Sequence, residues 1–289
     1  MKYLKLLWKG IFWLILVVVM LIQWFTVYQR FFISEEKVLS AYDEHFEDVT
    51  LHTTTILWRK IRYVDAGPRD GKLVLMIHGA PWNLQWESKI LEDPRLHQGY
   101  RFILVDRPGY GGSGMWDSLV SIKAQSDIMM QLLEEIWIDE DDKPLVVGHS
   151  YGATIALKMA MDYSERLSWS IVVSWAVDPD NERVFAISHL IKRQPFKFLA
   201  GPMFWVANDE KLAHVESLRN EVQNFEDINI PVQVIHGSAD SIVPYENFAY
   251  MKEKIPAEWW TFLSLEGKDH ALHMTDPEIF AEAIVWFSY

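Results

Sequence analysis

The segment 148–152 reads Gly-His-Ser-Tyr-Gly, which places Ser150 at the centre of a G-x-S-x-G motif. It follows the apolar run Pro144–Val147 and precedes the helix-compatible stretch 153–157, and this strand–turn–helix context is typical of a nucleophile elbow. So tight a turn needs glycine on both sides of the serine. Its strain holds the serine Oγ above the sheet at a helix N-terminus, where the helix dipole favours developing negative charge. We therefore predict that Ser150 is a nucleophile.

A serine nucleophile needs a general base, and the base needs a third group that orients it. After a nucleophile elbow the expected chain order is serine, acid, histidine. Asp240 follows the apolar run Val232–Ile235, and His270 follows the run Trp259–Leu265. Both residues therefore stand at the carboxyl ends of predicted strands, where open α/β sheets place their sites. We predict that Asp240 is the acid and His270 the base.

Neighbouring residues offer alternatives for both roles. Asp178 ends another predicted strand and could supply the acid from there. His273 lies three residues beyond His270 and is the alternative base, or only a partner on the following turn. His149 adjoins the nucleophile but should point away from it in a normal elbow, so we interpret it as a packing residue. The histidines show no metal-ligand spacing such as H-E-x-x-H, so no metal is implied.

The loop 78–81, His-Gly-Ala-Pro, follows the predicted strand Leu73–Ile77. Acyl transfer needs donors for a tetrahedral oxyanion, and these come from the main-chain N–H after the nucleophile and from one N–H of such an early loop. Pro81 has no N–H to give. We therefore predict that Ala80 and Tyr151 form the oxyanion hole, the alternative being that 78–81 is a plain strand-to-helix turn.

The glycine-rich segment 106–113, Asp-Arg-Pro-Gly-Tyr-Gly-Gly-Ser, follows the next predicted strand. It contains neither a G-x-x-x-x-G-K motif nor a G-x-G-x-x-G motif before a helix, so it does not predict a phosphate-binding loop. We interpret it as a structural loop at the rim of the site, with direct ligand contact as the alternative.

Short β-rich runs alternate with helical stretches after residue 53, which is the pattern of βαβ units and a mostly parallel sheet, so the predicted fold class is α/β. The predicted strands are Thr54–Val64, Leu73–His78, Phe102–Asp106, Leu145–Gly148, Ser170–Val177, Val232–His236 and Trp259–Leu265. Predicted helices cover 121–137, the stretch after Ser150, and Pro277–Trp286. About 50 residues between the strands near Val177 and Pro231 show no clear strand, and we interpret them as a small helical insertion over the sheet.

Residues 1–30 differ in charge and hydropathy from the rest. They carry four cations and no acid, whereas residues 31–289 carry 23 cations against 40 acids, a net charge of −17 within the total of −13. Because residues 31–289 are this acidic, phosphate backbones should repel them, and we expect no nucleic-acid partner. The chain has no cysteine, which excludes a disulfide framework and a thiol nucleophile.

The N-terminal segment 1–30 predicts a membrane anchor whose span covers about residues 11–28. Only Gln23 and Thr26 are polar among its 18 residues, and this length is close to the roughly 20 residues that a spanning helix needs. Bulky aromatic residues follow, and they are unfavourable for signal cleavage; a core helix or a cleaved signal is the alternative. The lysines that precede the span favour an extracytoplasmic body, periplasmic in a Gram-negative bacterium. Residues 31–52 are predicted to be a linker.

Five motifs together carry a resemblance to a known fold. HGAP, DRPGYGGS, GHSYG, HGSAD and GKDH, in this order and spacing, are similar to those of the α/β-hydrolase fold superfamily. The resemblance covers about residues 54–289 and implies an eight-stranded mostly parallel sheet with helices on both faces. It also implies a hydrolase domain over 53–289 with a helical cap at about 179–229, and a triad of Ser150, Asp240 and His270 that needs no cofactor.

Departures from sister families narrow the chemistry. Epoxide hydrolases and haloalkane dehalogenases resemble this pattern but carry aspartate at the elbow, where this chain has Ser150. Dehalogenases commonly have asparagine at the position of Ala80. We therefore expect a membrane-anchored serine hydrolase that cleaves carboxylic ester or related acyl bonds of an apolar, lipid-like or aromatic small molecule.

Other activities remain open at this point, because a fold does not determine function. A C–C bond hydrolase, an amidase, an acyltransferase and haloperoxidase-like chemistry fit the same scaffold. A non-catalytic binding protein that kept the hydrolase fold is an alternative of a different class. Neither the natural substrate nor the oligomeric state follows from the sequence.

Overall fold

The structure is a computed structural model that describes residues 2–31, 34–137, 142–254 and 260–287. Its helices and strands, in chain order, are α1 Lys2–Phe31, α2 Glu35–Ser40, β1 Val49–Ile56, β2 Arg59–Ala66, β3 Lys72–Ile77, β4 Tyr100–Val105, α3 Ile122–Ile136, β5 Leu145–His149, α4 Tyr151–Asp162, β6 Trp169–Val173, α5 Ala186–Ile191, α6 Phe196–Leu199, α7 Pro202–Glu221, β7 Val232–Gly237, α8 Glu246–Lys254, β8 Trp260–Leu265, α9 Leu272–Thr275 and α10 Pro277–Trp286.

The eight strands form one sheet in the order β1-β2-β4-β3-β5-β6-β7-β8. β2 pairs antiparallel with β1 and β4, and the pairs from β4 to β8 are parallel. β4 and β5 are buried at every residue, as expected for parallel strands covered on both faces. The predicted eight-stranded, mostly parallel sheet is confirmed.

The single strand predicted over Thr54–Val64 is wrong in one respect. The segment belongs to a hairpin in which β1 ends at Ile56 and β2 begins at Arg59. The two turn residues, Leu57 and Trp58, have φ angles of 47° and 66°, and positive φ at both central positions characterises the tight turn that joins antiparallel strands. Neither residue is a usual turn former, so the turn left no composition signal.

Helices cover both faces of the sheet. On one face, apolar residues of α3, α4 and α8 join the core, among them Leu132, Ile155 and Met251. On the other face, Phe280 and Ile284 of α10 pack with Val38 of α2. The central strands are therefore covered on both faces, and they form a rigid base for the loops at the carboxyl edge of the sheet.

The segment 31–52 does not behave as a linker where the structure describes it. Val38, Tyr42 and Phe46 are buried against the sheet, and Tyr42 donates a hydrogen bond to the carbonyl of Leu84. Val38 lies in α2, and Tyr42 and Phe46 follow in the turns after it, where the Phe46 N–H bonds to the carbonyl of Tyr42 at 3.1 Å. Their spacing of four brings these apolar side chains to one side of the segment, which explains why it packs. Residues 32–33 of the predicted linker lie outside the described residues.

The long helix α1 exposes its apolar side chains. Trp13 is 61% exposed and Leu14 is 65% exposed, whereas Trp24 stacks on Phe198 of α6 with ring centroids 5.1 Å apart. The span predicted over 11–28 includes side chains at 23 and 26–28 that lie outside the described residues. Within the part of the chain that is described, no helix is both long and apolar enough to cross a membrane.

Three helices, α5, α6 and α7, lie between β6 and β7, in the segment predicted as the cap (179–229). Met203 and Val206 of α7 pack on Tyr110 of the loop that follows β4. This contact holds the cap over the carboxyl edge of the sheet, where the candidate residues lie.

Candidate active site

Ser150 occupies the sharp turn between β5 and α4. Its φ angle of 56° with ψ of −124° is a strained backbone conformation for a residue with a side chain. A Cβ on Gly148 would lie 2.3 Å from the carbonyl oxygen of Gly152, and a Cβ on Gly152 would lie 2.1 Å from the carbonyl oxygen of Ile77 in β3. Only glycine fits on each side, which is the physical reason for the G-x-S-x-G spacing.

The structure brings together the three residues that the sequence nominates. His270 Nε2 lies 3.0 Å from Ser150 Oγ, and His270 Nδ1 lies 2.8 Å from Asp240 Oδ2. His270 and Asp240 are each 7% exposed. We refer to Ser150, His270 and Asp240 as the triad.

Asp240 is held as a carboxylate by several donors. Its Oδ1 accepts hydrogen bonds from the N–H groups of Ile242 (2.9 Å) and Val243 (2.8 Å), and His236 Nε2 lies 3.4 Å from Oδ2. Burial opposes the charge, but the hydrogen bonds from His236, His270 and Val243 outweigh it, and the pKa of Asp240 lies well below its usual range. Asp240 can therefore keep the imidazole in one tautomer and stabilise its protonated form.

The alternative acid makes other contacts. Asp178 accepts hydrogen bonds from the N–H of Asp180 (2.9 Å) and from the side chain of Asn181 (2.7 Å). Its own N–H and that of Val177 bond to Asn247. Asp178 therefore stabilises the start of the cap segment, while Asp240 is the carboxylate that contacts His270.

The two other histidines near the elbow lie behind His270. His149 Nε2 is 3.0 Å from the carbonyl oxygen of His270, and the His273 ring lies 4.3 Å from the His149 ring. Neither nitrogen of His273 has a hydrogen-bond partner among the described residues. Burial and the nearby His270 lower the pKa of His273 to about 4, so it stays uncharged at neutral pH.

Ala80 and Tyr151 line the same cavity as Ser150. Neither main-chain N–H finds an acceptor among the described residues, so both are free to bind a substrate oxygen. Tyr151 is the first residue of α4, where the helix dipole adds to the attraction for negative charge.

The loop 106–113 is stabilised by its own side chains. The Asp106 carboxylate accepts hydrogen bonds from Arg62 (2.6 Å), from the N–H of Leu84 (3.1 Å) and from the N–H of Gly112 (2.7 Å). Asp106 is fully buried. These contacts close the loop on itself and fit the structural interpretation of this segment.

Arg107 in this loop joins the sheet to the cap, which the sequence did not predict. Its guanidinium forms a bidentate pair with Glu210 of α7, at 2.6 and 3.1 Å, and contacts Gln125 of α3 at 2.8 Å. Tyr110 donates to Glu210 at 2.6 Å. Arg107 and Glu210 are both fully buried. We refer to Arg107, Tyr110, Gln125 and Glu210 as the arginine cluster.

The cavity at Ser150 has a volume of about 300 Å³ and a mostly apolar wall. The apolar side chains come chiefly from the cap and from the loop after Asp240: Phe185, Ile187, Ile191, Phe204, Ala207, Ile242 and Val243. Three ionisable residues also line it, Glu182, Lys211 and His214. Sequence reasoning missed these three, because isolated charged residues in a helical cap look like an ordinary solvated face. Among the residues that the structure describes, no group of histidine, aspartate and glutamate could hold a metal ion.

The model of the alpha/beta hydrolase family matches residues 74–283, which is most of the chain and includes the whole triad. The chain belongs to the alpha/beta hydrolase family. This hydrolase is 28% identical to epoxide hydrolase 3 of Xenopus tropicalis over 131 residues. The matched residues make up 45% of this chain and 34% of that protein.

A second curated relative comes from Escherichia coli, a 2-hydroxy-6-oxononadienedioate/2-hydroxy-6-oxononatrienedioate hydrolase that is 31% identical over 111 residues, covering 37% of each protein. The matches to these relatives therefore span about a third of their length. Among solved structures, a bacterial membrane phospholipase A superposes with a TM-score of 0.66 at 17% identity, covering 100% of this chain and 98% of that one. At that identity the likeness concerns the fold alone.

Proposed function

We propose that this hydrolase is a serine hydrolase that cleaves carboxylic esters of apolar substrates through an acyl-enzyme. The observation that carries the proposal is the 3.0 Å contact between Ser150 Oγ and His270 Nε2 at the wall of a mostly apolar cavity. A hydroxyl beside an oriented imidazole is the arrangement that acyl transfer requires.

The reaction then proceeds in two halves. His270 takes the proton from Ser150 Oγ as the oxygen attacks the ester carbonyl, and the N–H groups of Ala80 and Tyr151 stabilise the oxyanion. The tetrahedral intermediate collapses as His270 gives the proton to the leaving alcohol. A water molecule, activated by His270 in the same way, attacks the acyl-enzyme and releases the acid. Asp240 stabilises the imidazolium in both halves.

Other chemistries on the same scaffold are less well supported. An epoxide hydrolase resembling the Xenopus relative would carry aspartate as the nucleophile, and this chain has Ser150 there. The match to the Escherichia coli hydrolase keeps cleavage of a carbon–carbon bond as the second candidate, since such substrates also present a carbonyl to the nucleophile. Amide hydrolysis and acyl transfer would use the same triad with a different leaving group or acceptor.

The membrane location remains part of the proposal. The exposed apolar side chains of α1 support attachment to a lipid bilayer. Lys2, Lys5 and Lys9 precede the span and favour a catalytic domain on the extracytoplasmic side. The substrate would then be a small ester or lipid-like molecule close to that surface. The location has no bearing on the chemistry, because the triad lies in the hydrolase domain.

Active-site labelling tests the chemistry directly. A fluorophosphonate probe should bind covalently to wild-type protein and not to Ser150→Ala, and a panel of p-nitrophenyl esters, anilides and phospholipids should show turnover of esters above amides. Failure of the probe to label the folded wild-type protein would support the binding-protein alternative. Labelling without ester turnover, together with release of a carbon–carbon cleavage product, would favour the second candidate.

A further inference from the structure

Three ionisable side chains form a polar patch in the wall of the otherwise apolar cavity. Glu182 lies ahead of α5, and Lys211 and His214 lie three residues apart on one face of α7. His214 Nδ1 is 2.9 Å from Glu182 Oε1, and Lys211 Nζ donates to the same oxygen. We refer to Glu182, Lys211 and His214 as the cap patch. None of these residues is needed for the proposed chemistry at Ser150.

The cap patch is incomplete. Glu182 Oε2 and His214 Nε2 have no hydrogen-bond partner among the described residues, although the two side chains are only 1% and 3% exposed. Buried polar atoms in native proteins almost always have a partner. Two unpartnered atoms on neighbouring side chains beside the cavity therefore point to a ligand group that completes them once the groups that now cover these atoms move aside.

The charge of the cap patch limits what that group can be. Burial opposes ionisation of Glu182, but the hydrogen bond from His214 and the charges of His214 and Lys211 outweigh it, and the pKa of Glu182 is lowered. Glu182 is therefore a carboxylate, and its free oxygen can only accept a hydrogen bond. Because Lys211 already pairs with it, a substrate group that carried a full charge of its own would lack a counter-charge.

A hydroxyl meets these requirements. It donates to Glu182 Oε2, and its oxygen accepts from Nε2–H when the His214 ring is protonated. In the neutral ring the proton is on Nδ1, which faces the Glu182 carboxylate, so Nε2 becomes a second acceptor for the same hydroxyl proton. The cap patch lines the same cavity as Ser150, and the His214 ring packs on the Tyr151 ring with centroids 4.9 Å apart. Tyr151 directly follows Ser150 in the chain.

We propose that Glu182 and His214 form a hydroxyl-recognition subsite, and that the preferred substrate is a largely apolar ester that carries a hydroxyl group. This inference rests on the proposed ester hydrolysis and names its substrate class. The apolar wall of the cavity takes the hydrocarbon part, and the cap patch takes the hydroxyl. A site built to hydrogen-bond a hydroxyl rejects the analogue that lacks it, because the site's own polar groups are then left without a partner.

Matched ester pairs test the subsite. One pair places the hydroxyl on the acyl side, p-nitrophenyl octanoate and its ω-hydroxy analogue, and the other places it on the alcohol side, propyl octanoate and hydroxypropyl octanoate. For wild-type protein we expect kcat/KM for the hydroxylated ester to exceed that of the plain ester about tenfold or more in at least one pair. An ω-amino analogue of the acyl pair should show no such preference.

Two variants assign the preference to residues. His214→Phe keeps an aromatic ring against Tyr151 and removes Nε2, and Glu182→Gln replaces the charged acceptor with a weaker neutral one. Both should lower the selectivity ratio, His214→Phe to near one. The matched controls are His189→Phe in α5 and Glu216→Gln in α7, two exposed cap residues outside the cavity wall, and these should keep the wild-type ratio.

Each result bears on a different statement. Wild-type ratios near one in both pairs, with all four esters hydrolysed, would overturn the subsite and leave the proposed function intact; the open atoms would then be satisfied by buried water. A wild-type preference that survives both His214→Phe and Glu182→Gln would overturn the assignment to these residues. A preference for the ω-amino ester would replace the hydroxyl with a cation. No ester turnover and no fluorophosphonate labelling would refute the proposed function itself.

Discussion

The triad and the arginine cluster are both buried sets of polar and charged side chains, and they differ in whether a member lies at the wall of the cavity. In the arginine cluster, Arg107 reaches Glu210 through two nitrogens and donates to the carbonyl of His78 through Nε at 2.8 Å. Burial opposes the guanidinium charge, but Glu210 outweighs it and raises the pKa of Arg107 above its usual value. Neither Arg107 nor Glu210 lines the cavity.

In the triad, Asp240 is just as well provided with hydrogen-bond partners, but Ser150 lies at the cavity wall. Asp240 is surrounded by donors, and Ser150 Oγ lies at the wall of the cavity beside two free main-chain N–H groups. A closed buried ion pair fixes the position of two elements, here the loop after β4 and the cap. A chain of hydrogen bonds that ends at a cavity can instead act on a substrate. We therefore expect triad variants to change rates and arginine-cluster variants to change stability.

The largest effect is expected at Ser150 and His270, the proposed nucleophile and base. Ser150→Ala and His270→Ala should each lower kcat by about 10⁴–10⁶, because the members of a triad act as a unit. The free energy of unfolding of Ser150→Ala should stay within about 1 kcal/mol of wild type. Ester turnover and urea unfolding measure the two quantities. A variant that unfolds readily but turns over normally per folded molecule would reverse the comparison.

The next effect separates the two candidate acids. Asp240→Asn should lower kcat by about 10³–10⁴, because an amide no longer stabilises the imidazolium and favours the wrong tautomer. Asp178→Asn serves as the control, since Asp178 bonds to Asp180 and Asn181 instead of His270. Near-normal turnover in Asp240→Asn with a crippled Asp178→Asn would show that the acid is assigned to the wrong strand end.

A substitution in the arginine cluster should lower the free energy of unfolding. Arg107→Met leaves the Glu210 carboxylate buried without its partner, and removing one member of a buried ion pair costs about 3–5 kcal/mol of unfolding free energy. Arg219→Met is the control, because its pair with Asp180 is 57% and 80% exposed and such pairs contribute about 1 kcal/mol or less. Urea unfolding gives both values. Equal, small losses in the two variants would mean that the cap does not depend on Arg107.

The sequence could predict the triad but not the arginine cluster, because only the triad residues lie in recognisable local patterns. Ser150 is indicated by flanking glycines whose absent Cβ atoms make room for Gly152 and Ile77. Asp240 and His270 follow strand ends that place them at one edge of the sheet. The mostly parallel character of the sheet follows from the alternation of strands and helices along the chain. These features are local in the chain, even though the residues meet in space.

The arginine cluster and the cap patch had no such signal. Arg107 and Glu210 are 103 residues apart, and nothing near either residue shows that the other faces it. The same holds for the end of β6: the apolar run predicted to Val177 stops pairing at Val173, because Ser174 takes a φ angle of 52°. The burial of Val38 and Tyr42 could have been found from their helical spacing, which the charged residues around them concealed.

Acid should destabilise the side of the molecule that holds the triad. The pKa of His273 is about 4 in the folded protein, whereas an unfolded histidine has a pKa of about 6.5. The unfolded chain therefore binds more protons between these values, so stability falls as the pH drops from 6.5 toward 4 and levels off below it. This residue accounts for a loss of about 2–3 kcal/mol of unfolding free energy by pH 4.5.

His273→Phe isolates this contribution. Urea unfolding at pH 7 and at pH 4.5 should show a smaller acid loss in His273→Phe than in wild type, by about 2–3 kcal/mol. His189→Phe is the control, because His189 is exposed and should leave the acid loss unchanged. The same acid loss in wild type and His273→Phe would mean that His273 is solvated in the folded protein.

The smallest effect on turnover is expected from removal of α1. A chain that starts at Ser34 keeps the buried residues of α2 and every residue of the triad and the arginine cluster, so we expect its ester turnover within about threefold of full length. The cap is where a larger change would arise, because Trp24 stacks on Phe198 of α6.

If residues 1–30 anchor the protein, the full-length chain should stay in the membrane after carbonate washing, and the chain from Ser34 should not. Protease added from the extracytoplasmic side should digest the body. Release of the full-length chain by carbonate would show that residues 1–30 do not anchor it. A threefold or greater loss of turnover on truncation would show that α1 supports the cap.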